Sequence, residues 1–323
     1  MNQPADHSDL RTLGICLALT VLFGCATSTT VIPVSVTPPA APPAAETPFV
    51  PPSPLGPVVA PGQVQELVPG GAIDWSGKTV WARGAGVVDP GNSSRDLAWQ
   101  MALRAATVVA QRNLLEIVKG VRVDSDTRVQ ELVAGHDSVR LRVEAVVKGA
   151  RQRGPARYDS LGGTVEIEME CDLYGEGGIE SALAPQPVVG PQPENAAAAG
   201  LSPAAQQSLR HYACLVIDGG DTGLKPALFP KLCDDRGAIL LDPRELAYAG
   251  ATGAHTVQYV GALGQVAARP DFGQPMVFRV REARGELGTD PVLARADAAA
   301  LREMADGLEF LVRTGRVLIK LAP

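Results

Sequence analysis

The sequence predicts an α+β fold, in which a helix packs on a small antiparallel sheet in the order β-α-β-β, followed by a second α+β domain. Three patterns in the first unit predict this. From Leu97 to Leu115, apolar side chains recur every three or four positions, as in a helix. From Ser138 to Gly149 and from Gly163 to Tyr174, apolar and charged side chains alternate, which is typical of strands with one buried face.

The first unit is expected to begin near Trp75, with a strand over Lys78–Val88. Gly84 and Gly86 in this strand indicate either a bulge or a close backbone approach. The helix that follows has an alanine-rich flank suited to close packing on a sheet. A second helical turn is expected at Thr127–Ala134.

The outer faces of the two alternating segments have opposite charge. Arg140, Arg142 and Lys148 project from the first segment, and Glu166, Glu168, Glu170 and Asp172 project from the second. If the two segments pair as neighbouring strands, each acid–base pair would contribute about 0.2–1 kcal/mol and help to fix the register.

A second α+β unit is predicted from Leu209 onward. The expected strands are Tyr212–Ile217, Ala227–Cys233, Ala238–Leu241, Met276–Ala283, Pro291–Ala294, Leu308–Val312 and Arg316–Leu321. The expected helices are a short one from Asp242, one over Val257–Ala268 and one over Ala296–Asp306 that Gly307 ends.

An apolar run of eleven residues, Leu13–Phe23, precedes Gly24 and Cys25. The run is too short to cross a bilayer as a helix, but it matches the apolar core of a secretory leader. Leu22-Phe23-Gly24-Cys25 resembles the lipobox of bacterial lipoproteins. That resemblance implies cleavage before Cys25 and a diacylglycerol on its thiol, and Ala26 in place of Asp implies the outer membrane. The alternatives are an ordinary leader or a buried apolar segment.

Composition shifts divide the chain into five parts. They are a lipoprotein signal peptide (1–24), a proline-rich tether (25–71), an α+β domain (72–175), a Pro/Ala-rich linker (176–207) and a C-terminal α+β domain of unknown fold (208–323). Eleven prolines between Pro33 and Pro61 favour an extended tether, and residues 26–61 could then reach about 100 Å.

Charge is balanced in both predicted domains. Residues 72–175 hold 14 basic and 14 acidic side chains, and residues 208–323 again hold 14 of each. Nucleic-acid binding requires a strong positive field, so nucleic acid is rejected as a partner.

Few residues form patterns of catalysis or metal binding. Asp221-Thr222-Gly223 matches the triplet around an aspartic-protease carboxylate, but it has no second copy and is more simply a turn. His211, Cys214 and Cys233 offer zinc-type ligands without a second half-site. No cofactor is predicted. Cys214 and Cys233 could form a disulfide with Cys171 left over, or all three thiols could be reduced and buried.

A basic cluster formed by Lys148, Arg151, Arg153 and Arg157 lies between the two alternating segments. We consider two interpretations. It is either a contact for anionic lipid, polysaccharide or an acidic partner, or a solvated loop.

WARGAG, the alanine-rich helix ending in LLEIVKGVRV, and the segments VRLRVEAVVKGA and VEIEMECDLYG stand in this order behind the lipobox. Together they resemble the Lpp-twenty-like lipoprotein family over residues 75–175. The amino-terminal domain of a flagellar assembly protein has a similar pattern. The resemblance implies a non-catalytic, palmitate-bearing envelope lipoprotein, associated with the flagellum or the cell surface. Its partners would be the membrane and an envelope protein or polysaccharide. The alternative is a secreted hydrolase that uses Asp221.

Overall fold

The structure, a computed structural model, describes residues 62–183, 201–248 and 257–322. The elements of its first part are β1 (Gln65–Val68), β2 (Gly71–Asp74), β3 (Thr79–Val87), α1 (Arg95–Lys119), α2 (Val129–Gly135), α3 (Asp137–Lys148), β4 (Arg151–Gln152), β5 (Arg157–Asp159), β6 (Thr164–Asp172) and α4 (Ile179–Leu183). Within the described residues the strands form one antiparallel sheet in the order β1-β2-β3-β6-β4, and β5 also pairs with β6. The predicted class, a helix on a small antiparallel sheet, is confirmed.

Helix α1 packs its smallest side chains against the sheet. Its buried residues are Ala98, Ala102, Ala106, Ala110, Leu114, Ile117 and Val118. A Cβ atom added to Gly86 would lie 2.0 Å from the carbonyl oxygen of Ala102, and one added to Gly84 would lie 2.2 Å from that of Ala106. The register between β3 and β6 runs without a shift. Of the two predicted roles for these glycines, close backbone approach is therefore the correct one.

The predicted strand over Ser138–Gly149 is wrong, because this segment forms helix α3. Val139, Val143 and Val147 are four residues apart and all buried, while Leu141 between them is exposed. Apolar residues at every second position also place an apolar residue at every fourth position. The sequence therefore fits both the two-residue period of a strand and the roughly four-residue period of a helix. Ion pairs from Glu144 to Arg140 and Lys148, each one helical turn away, favour the helix.

The folded part begins earlier than the sequence predicts. Strands β1 and β2 form a hairpin that extends the sheet beyond β3, and β1 lies in residues assigned to the tether. Helix α4 likewise lies in the segment assigned to the linker. These elements are too short to give a clear periodic pattern in the sequence.

The second part of the chain contains α5 (Pro203–His211), β7 (Cys214–Asp218), β8 (Leu232–Asp234), β9 (Ile239–Leu241), α6 (Pro243–Tyr248), β10 (Gln258–Val260), α7 (Leu263–Ala267), β11 (Pro275–Arg284), β12 (Asp290–Leu293), α8 (Arg295–Glu303), α9 (Ala305–Arg313) and β13 (Val317–Lys320). Within the described residues they form a mixed sheet in the order β10-β13-β7-β11-β12-β8-β9. Strands β10, β13, β7 and β11 are parallel, and β11 bends to pair antiparallel with β12 through its second half. The predicted second α+β unit is confirmed at this level.

The structure corrects several predictions in this part. The segment Leu308–Val312 is helical, because Leu308, Leu311 and Val312 form one buried stripe of α9. Gly307 lies inside that helix, where an added Cβ would stand 2.9 Å from the Cβ of Ala205 on α5. This glycine therefore allows two helices to approach and does not end one. The segment Val257–Ala268 is not one helix, since strand β10 precedes the short α7.

The two sheets are joined by a strap that we define as residues 121–129, the loop and bridge between α1 and α2. The carbonyl oxygens of Arg122 and Val123 accept hydrogen bonds from the N–H groups of Leu228 and Phe229, at 3.0 and 2.8 Å. Further along the strap, Asp124 pairs with Arg244 at 3.1 Å. The described residues, 62–183, 201–248 and 257–322, accordingly belong to one compact unit.

An aromatic contact lies beside the strap. Tyr259 packs edge-on against Trp75, with ring centroids 5.6 Å apart. Its hydroxyl donates to the carbonyl oxygen of Ala227 at 2.7 Å and accepts from the N–H of the same residue at 2.9 Å. One buried hydroxyl therefore satisfies both backbone groups of a loop residue between the sheets.

None of the helices in the described ranges combines the length and the apolar content that a membrane crossing needs.

We predict that Gly86→Ala lowers the free energy of unfolding by about 2–3 kcal/mol, because α1 or β3 must shift to admit the methyl group. Chemical denaturation measures this. The matched control is Gly135→Ala at the end of α2, where an added Cβ meets nothing within 4 Å. Its effect should stay within about 1 kcal/mol. Equal effects of the two substitutions would contradict the close contact.

We predict that Tyr259→Phe lowers the free energy of unfolding by about 1–3 kcal/mol, because both buried backbone groups of Ala227 lose their partner. Thermal or urea unfolding measures this. Tyr158→Phe is the control, since Tyr158 is exposed on β5 and its hydroxyl reaches solvent, so a change of no more than about 0.5 kcal/mol is expected. A neutral Tyr259→Phe would show that water satisfies the loop equally well.

Candidate functional site

The outer face of the first sheet carries arginines beside carboxylates, and we name it the charged face. Its members are Arg83, Arg151, Arg153, Arg157, Glu166, Glu168, Glu170 and Asp172. The register pairs are Arg83 with Glu168, Arg151 with Glu170, and Arg157 with Glu166. The expected pairing of these acids with Arg140, Arg142 and Lys148 is wrong, because other bases lie opposite β6. The bases come from β3, β4, β5 and the β4–β5 loop, whereas the segment 138–149 is helical and supplies none of them.

The strongest electrostatic contact of the charged face is made by Arg151. Its guanidinium forms two hydrogen bonds to the carboxylate of Asp172, at 2.8 and 3.0 Å, and a third to Glu170 at 3.0 Å. The hydrogen bonds that Arg151 donates to Asp172 raise the pKa of Arg151 above its ordinary value. The bidentate geometry fixes the orientation of the planar guanidinium, in addition to pairing its charge.

Arg153 covers an aromatic ring. Its guanidinium lies 5.0 Å from the ring centre of Trp81, and its Nε is 3.8 Å from Glu170. Beside it, a shallow depression has room for about one water molecule. The buried Nε of Arg83, at its edge, has no hydrogen-bond partner in the described part of the protein. The charged face therefore offers a flat surface and lacks a deep pocket in this region.

The structure brings three of the four predicted basic residues together. Arg151, Arg153 and Arg157 share the charged face, whereas Lys148 lies at the end of α3 and faces Glu144 at 3.9 Å. Because carboxylates match the arginines in number on this face, its charges balance. A contact with an anionic partner stays a prediction for these residues.

The predicted lipidation residue, Cys25, lies outside the described residues. Cys171, Cys214 and Cys233 are buried and free. The alternative disulfide between Cys214 and Cys233 is not formed. The two residues lie on β7 and β8, with β11 and β12 between them. Three strand spacings amount to about 14 Å, far more than a disulfide spans.

Burial makes two of these thiols poor nucleophiles. It raises the pKa of the Cys171 thiol to about 12 and that of the Cys233 thiol to about 11. A thiol must ionise to react, so both behave as small apolar residues at neutral pH. This agrees with the interpretation of reduced and buried cysteines.

The zinc-type ligands proposed as a set do not converge. His211 is exposed at the end of α5, and Cys214 is buried in β7. Across residues 62–183, 201–248 and 257–322, no three His, Cys, Asp or Glu side chains are grouped so that they could hold a metal ion. His136 is exposed between α2 and α3, and His255 lies outside the described residues.

Asp221, the carboxylate of the hydrolase alternative, is exposed in the loop after β7. The N–H and hydroxyl of Thr222 both donate to the carbonyl oxygen of Gly219, at 3.1 and 2.6 Å, which makes the triplet a turn. Asp218, the last residue of β7, is largely buried, and its carboxylate accepts a hydrogen bond from Nζ of Lys320 on β13 at 2.8 Å. Burial opposes ionisation of Asp218, but the hydrogen bonds from Lys320 and Gly220 outweigh it and lower its pKa.

Sequence reasoning missed one surface, the back of α1, which we name the α1 outer face. It consists of Leu97, Met101 and Val108, flanked by Arg104 and Arg112. The three apolar side chains are 49%, 60% and 61% exposed. Their repeat correctly predicts a helix, but on its own it suggests that they face the core. A second stripe, the alanines four residues apart on the same helix, also fits a buried face. This stripe was the sequence signal that the larger side chains could be exposed.

We predict that Asp218→Asn lowers the free energy of unfolding at pH 7 by about 1–2 kcal/mol. The folded pKa of Asp218 lies below the unfolded value, so its stabilisation is present at neutral pH and disappears as the pH falls through the folded pKa. Urea unfolding at a series of pH values should show the difference from wild type shrinking as the pH falls through the folded pKa of Asp218. Asp221→Asn is the control and should be close to neutral throughout. A difference that persists at low pH would contradict the ion pair.

Comparison with known proteins found a family model that matches the second part of the chain. Residues 214–323 match the family model of the second domain of Treponema pallidum Tp0624. A search of curated proteins gave no match. The matched segment begins at the first residue of β7 and contains β7–β13, so the likeness concerns the second sheet and its helices.

Proposed function

We propose that this protein is a non-catalytic lipoprotein of the bacterial cell envelope, anchored by a diacylglycerol on Cys25. It holds its folded unit on a tether and presents that unit to another envelope component. The outer membrane is the proposed location. The partner is an envelope protein or polysaccharide of the flagellum or the cell surface.

The observation that carries the proposal is the sequence Leu22-Phe23-Gly24-Cys25 at the end of an eleven-residue apolar run. Run length, position, the small residue and the cysteine all agree with the lipobox. Acyl chains would hold the protein at a bilayer without a spanning helix. The eleven prolines between Pro33 and Pro61 match an extended tether.

Flat, exposed surfaces support a role in interaction. The charged face presents fixed guanidinium groups, of which Arg151 is held in a bidentate pair and Arg153 is stacked on Trp81. Oriented charges of this kind favour recognition of a macromolecular surface over capture of a small molecule.

The position of Asp221 also favours a non-catalytic role over the hydrolase alternative. An aspartic protease needs two carboxylates that share a proton in a desolvated site. Asp221 instead lies exposed on a turn, and the nearby Asp218 is already bound to Lys320. Neither carboxylate has the environment that such catalysis requires.

We predict that metabolic labelling with a palmitate analogue marks the wild-type protein and that the label is absent from Cys25→Ala. Without the acyl chains, the variant should move from the membrane fraction to the soluble fraction, because the thiol is the attachment point. Gel fluorescence and membrane fractionation measure both effects. Cys16→Ala is the matched control, since Cys16 lies in the segment that cleavage removes, and it should keep label and location.

Retention of the label in Cys25→Ala, or a mature amino terminus that starts upstream of Cys25, would contradict the anchor. Loss of the label in both cysteine variants would point to a defect of export and not to loss of the acylated thiol. Mass spectrometry of the mature amino terminus separates these outcomes.

A further inference from the structure

The α1 outer face is an apolar stripe that none of the residues described by the structure covers. At 100° per residue, Leu97, Met101 and Val108 fall within an arc of about 40° on the helix surface. They extend along about 17 Å of the helix axis. Each exposes about half or more of its side chain, although the same helix buries four alanines on the opposite side. A surface helix normally turns its large apolar side chains toward the core and its polar ones toward water. Helix α1 instead buries small side chains and exposes large apolar ones.

Two free positive charges flank this stripe. Arg104 and Arg112 lie about 20° beyond its two edges, one on each side. Both are exposed, and neither makes an ion pair within the described part of the chain. They differ in this from Arg151 and Arg153, whose charges are matched by Glu170 and Asp172.

Acidic side chains on the exposed surface of α1 lie toward its ends. Asp96 is in the first turn, and Glu116 pairs with Lys119 at 2.8 Å. The middle of the face therefore carries apolar groups and positive charge. In a parallel packing of two copies of the chain, Arg104 and Arg112 would each lie beside its own counterpart, which is unfavourable.

An anionic lipid surface matches the same pattern. An amphipathic helix in a bilayer interface buries its apolar stripe among the acyl chains and lets flanking arginines extend to the phosphates. The tether of residues 26–61 could reach about 100 Å, so a protein anchored at Cys25 can lay this helix on the bilayer that holds it.

We infer that the α1 outer face is a membrane-contact site that lies flat on anionic phospholipid, with Leu97, Met101 and Val108 inserted and Arg104 and Arg112 on the headgroups. The choice of a bilayer as occupant rests on the proposed lipid anchor. The contact adds a second, reversible attachment to the covalent one and sets how the folded unit lies on the membrane.

The test uses the chain from residue 25 onward carrying Cys25→Ala, so that neither leader nor acyl chains contribute. The described residues belong to one compact unit, so residues 51–323 are kept whole. Sedimentation with vesicles of phosphatidylglycerol and phosphatidylcholine should show binding that weakens with salt and is lost on phosphatidylcholine alone. Met101→Glu and Val108→Glu should each lower the partition coefficient at least tenfold.

Leu141→Glu is the matched control, because Leu141 on α3 is 60% exposed, as Met101 is. It should leave binding within twofold of the parent. Arg104→Gln with Arg112→Gln should weaken binding at least fivefold, whereas Arg151→Gln with Arg157→Gln should not. Thermal unfolding of each variant verifies the fold.

Three results would overturn the inference. They are absence of binding to anionic vesicles, equal losses with Leu141→Glu and Met101→Glu, and dependence on Arg151 and Arg157 in place of Arg104 and Arg112. A dimer in sedimentation velocity that Met101→Glu dissociates would also overturn it, since the face would then be a self-interface. None of these results bears on acylation of Cys25, which the labelling experiment tests separately.

Discussion

The contact on which the first unit depends is the close approach of the α1 backbone to the backbone of β3. Gly84 and Gly86 leave no side chain between sheet and helix, and the carbonyl oxygens of Ala106 and Ala102 occupy that space. Only small side chains fit on the helix face that meets such a sheet, so alanines fill it. The contact then decides what the other side of α1 presents. Because the alanines of α1 face the sheet, the large apolar side chains of Leu97, Met101 and Val108 face solvent.

The strap has a similar role between the two sheets. Its backbone bonds to residues 228 and 229, while the Arg122 side chain donates to the carbonyl oxygen of Pro226 at 2.7 Å and pairs with Glu66. Glu66 belongs to β1, so one guanidinium ties the first hairpin, the strap and a loop of the second part together. Removing one partner of such a partly buried ion pair lowers the free energy of unfolding, because the remaining charge stays buried without a counterion. This explains why an arginine in a short loop can be buried.

Much of the fold could be predicted from residue patterns, and the errors have a common physical origin. Strand β6 and helix α1 are long, and their periods are clear over nine residues or more. The segment Ser138–Gly149 was misassigned because valines at every fourth position also satisfy a period of two. From sequence, Gly307 predicts a helix end, although its actual role depends on Ala205, about a hundred residues away. Sequence alone cannot show such a contact, and it could not show which stripe of α1 faces the sheet.

The candidate surfaces differ in how their charges are arranged, and this separates the partners that each can bind. On the charged face, arginines and carboxylates stand one strand apart, about 4.8 Å, and balance each other. A uniformly anionic polymer would gain from each guanidinium roughly what it loses to the neighbouring carboxylate, so this face suits a partner with matching charges of both signs. On the α1 outer face, the central charges have one sign and flank apolar groups. A lipid surface satisfies both features at once, whereas a polysaccharide would leave the apolar stripe in water. The sequence offers Lys148, Arg151, Arg153 and Arg157 either as an anionic contact or as a solvated loop. Arg104 and Arg112, which make no ion pair with the residues that the structure describes, are better placed for such a contact.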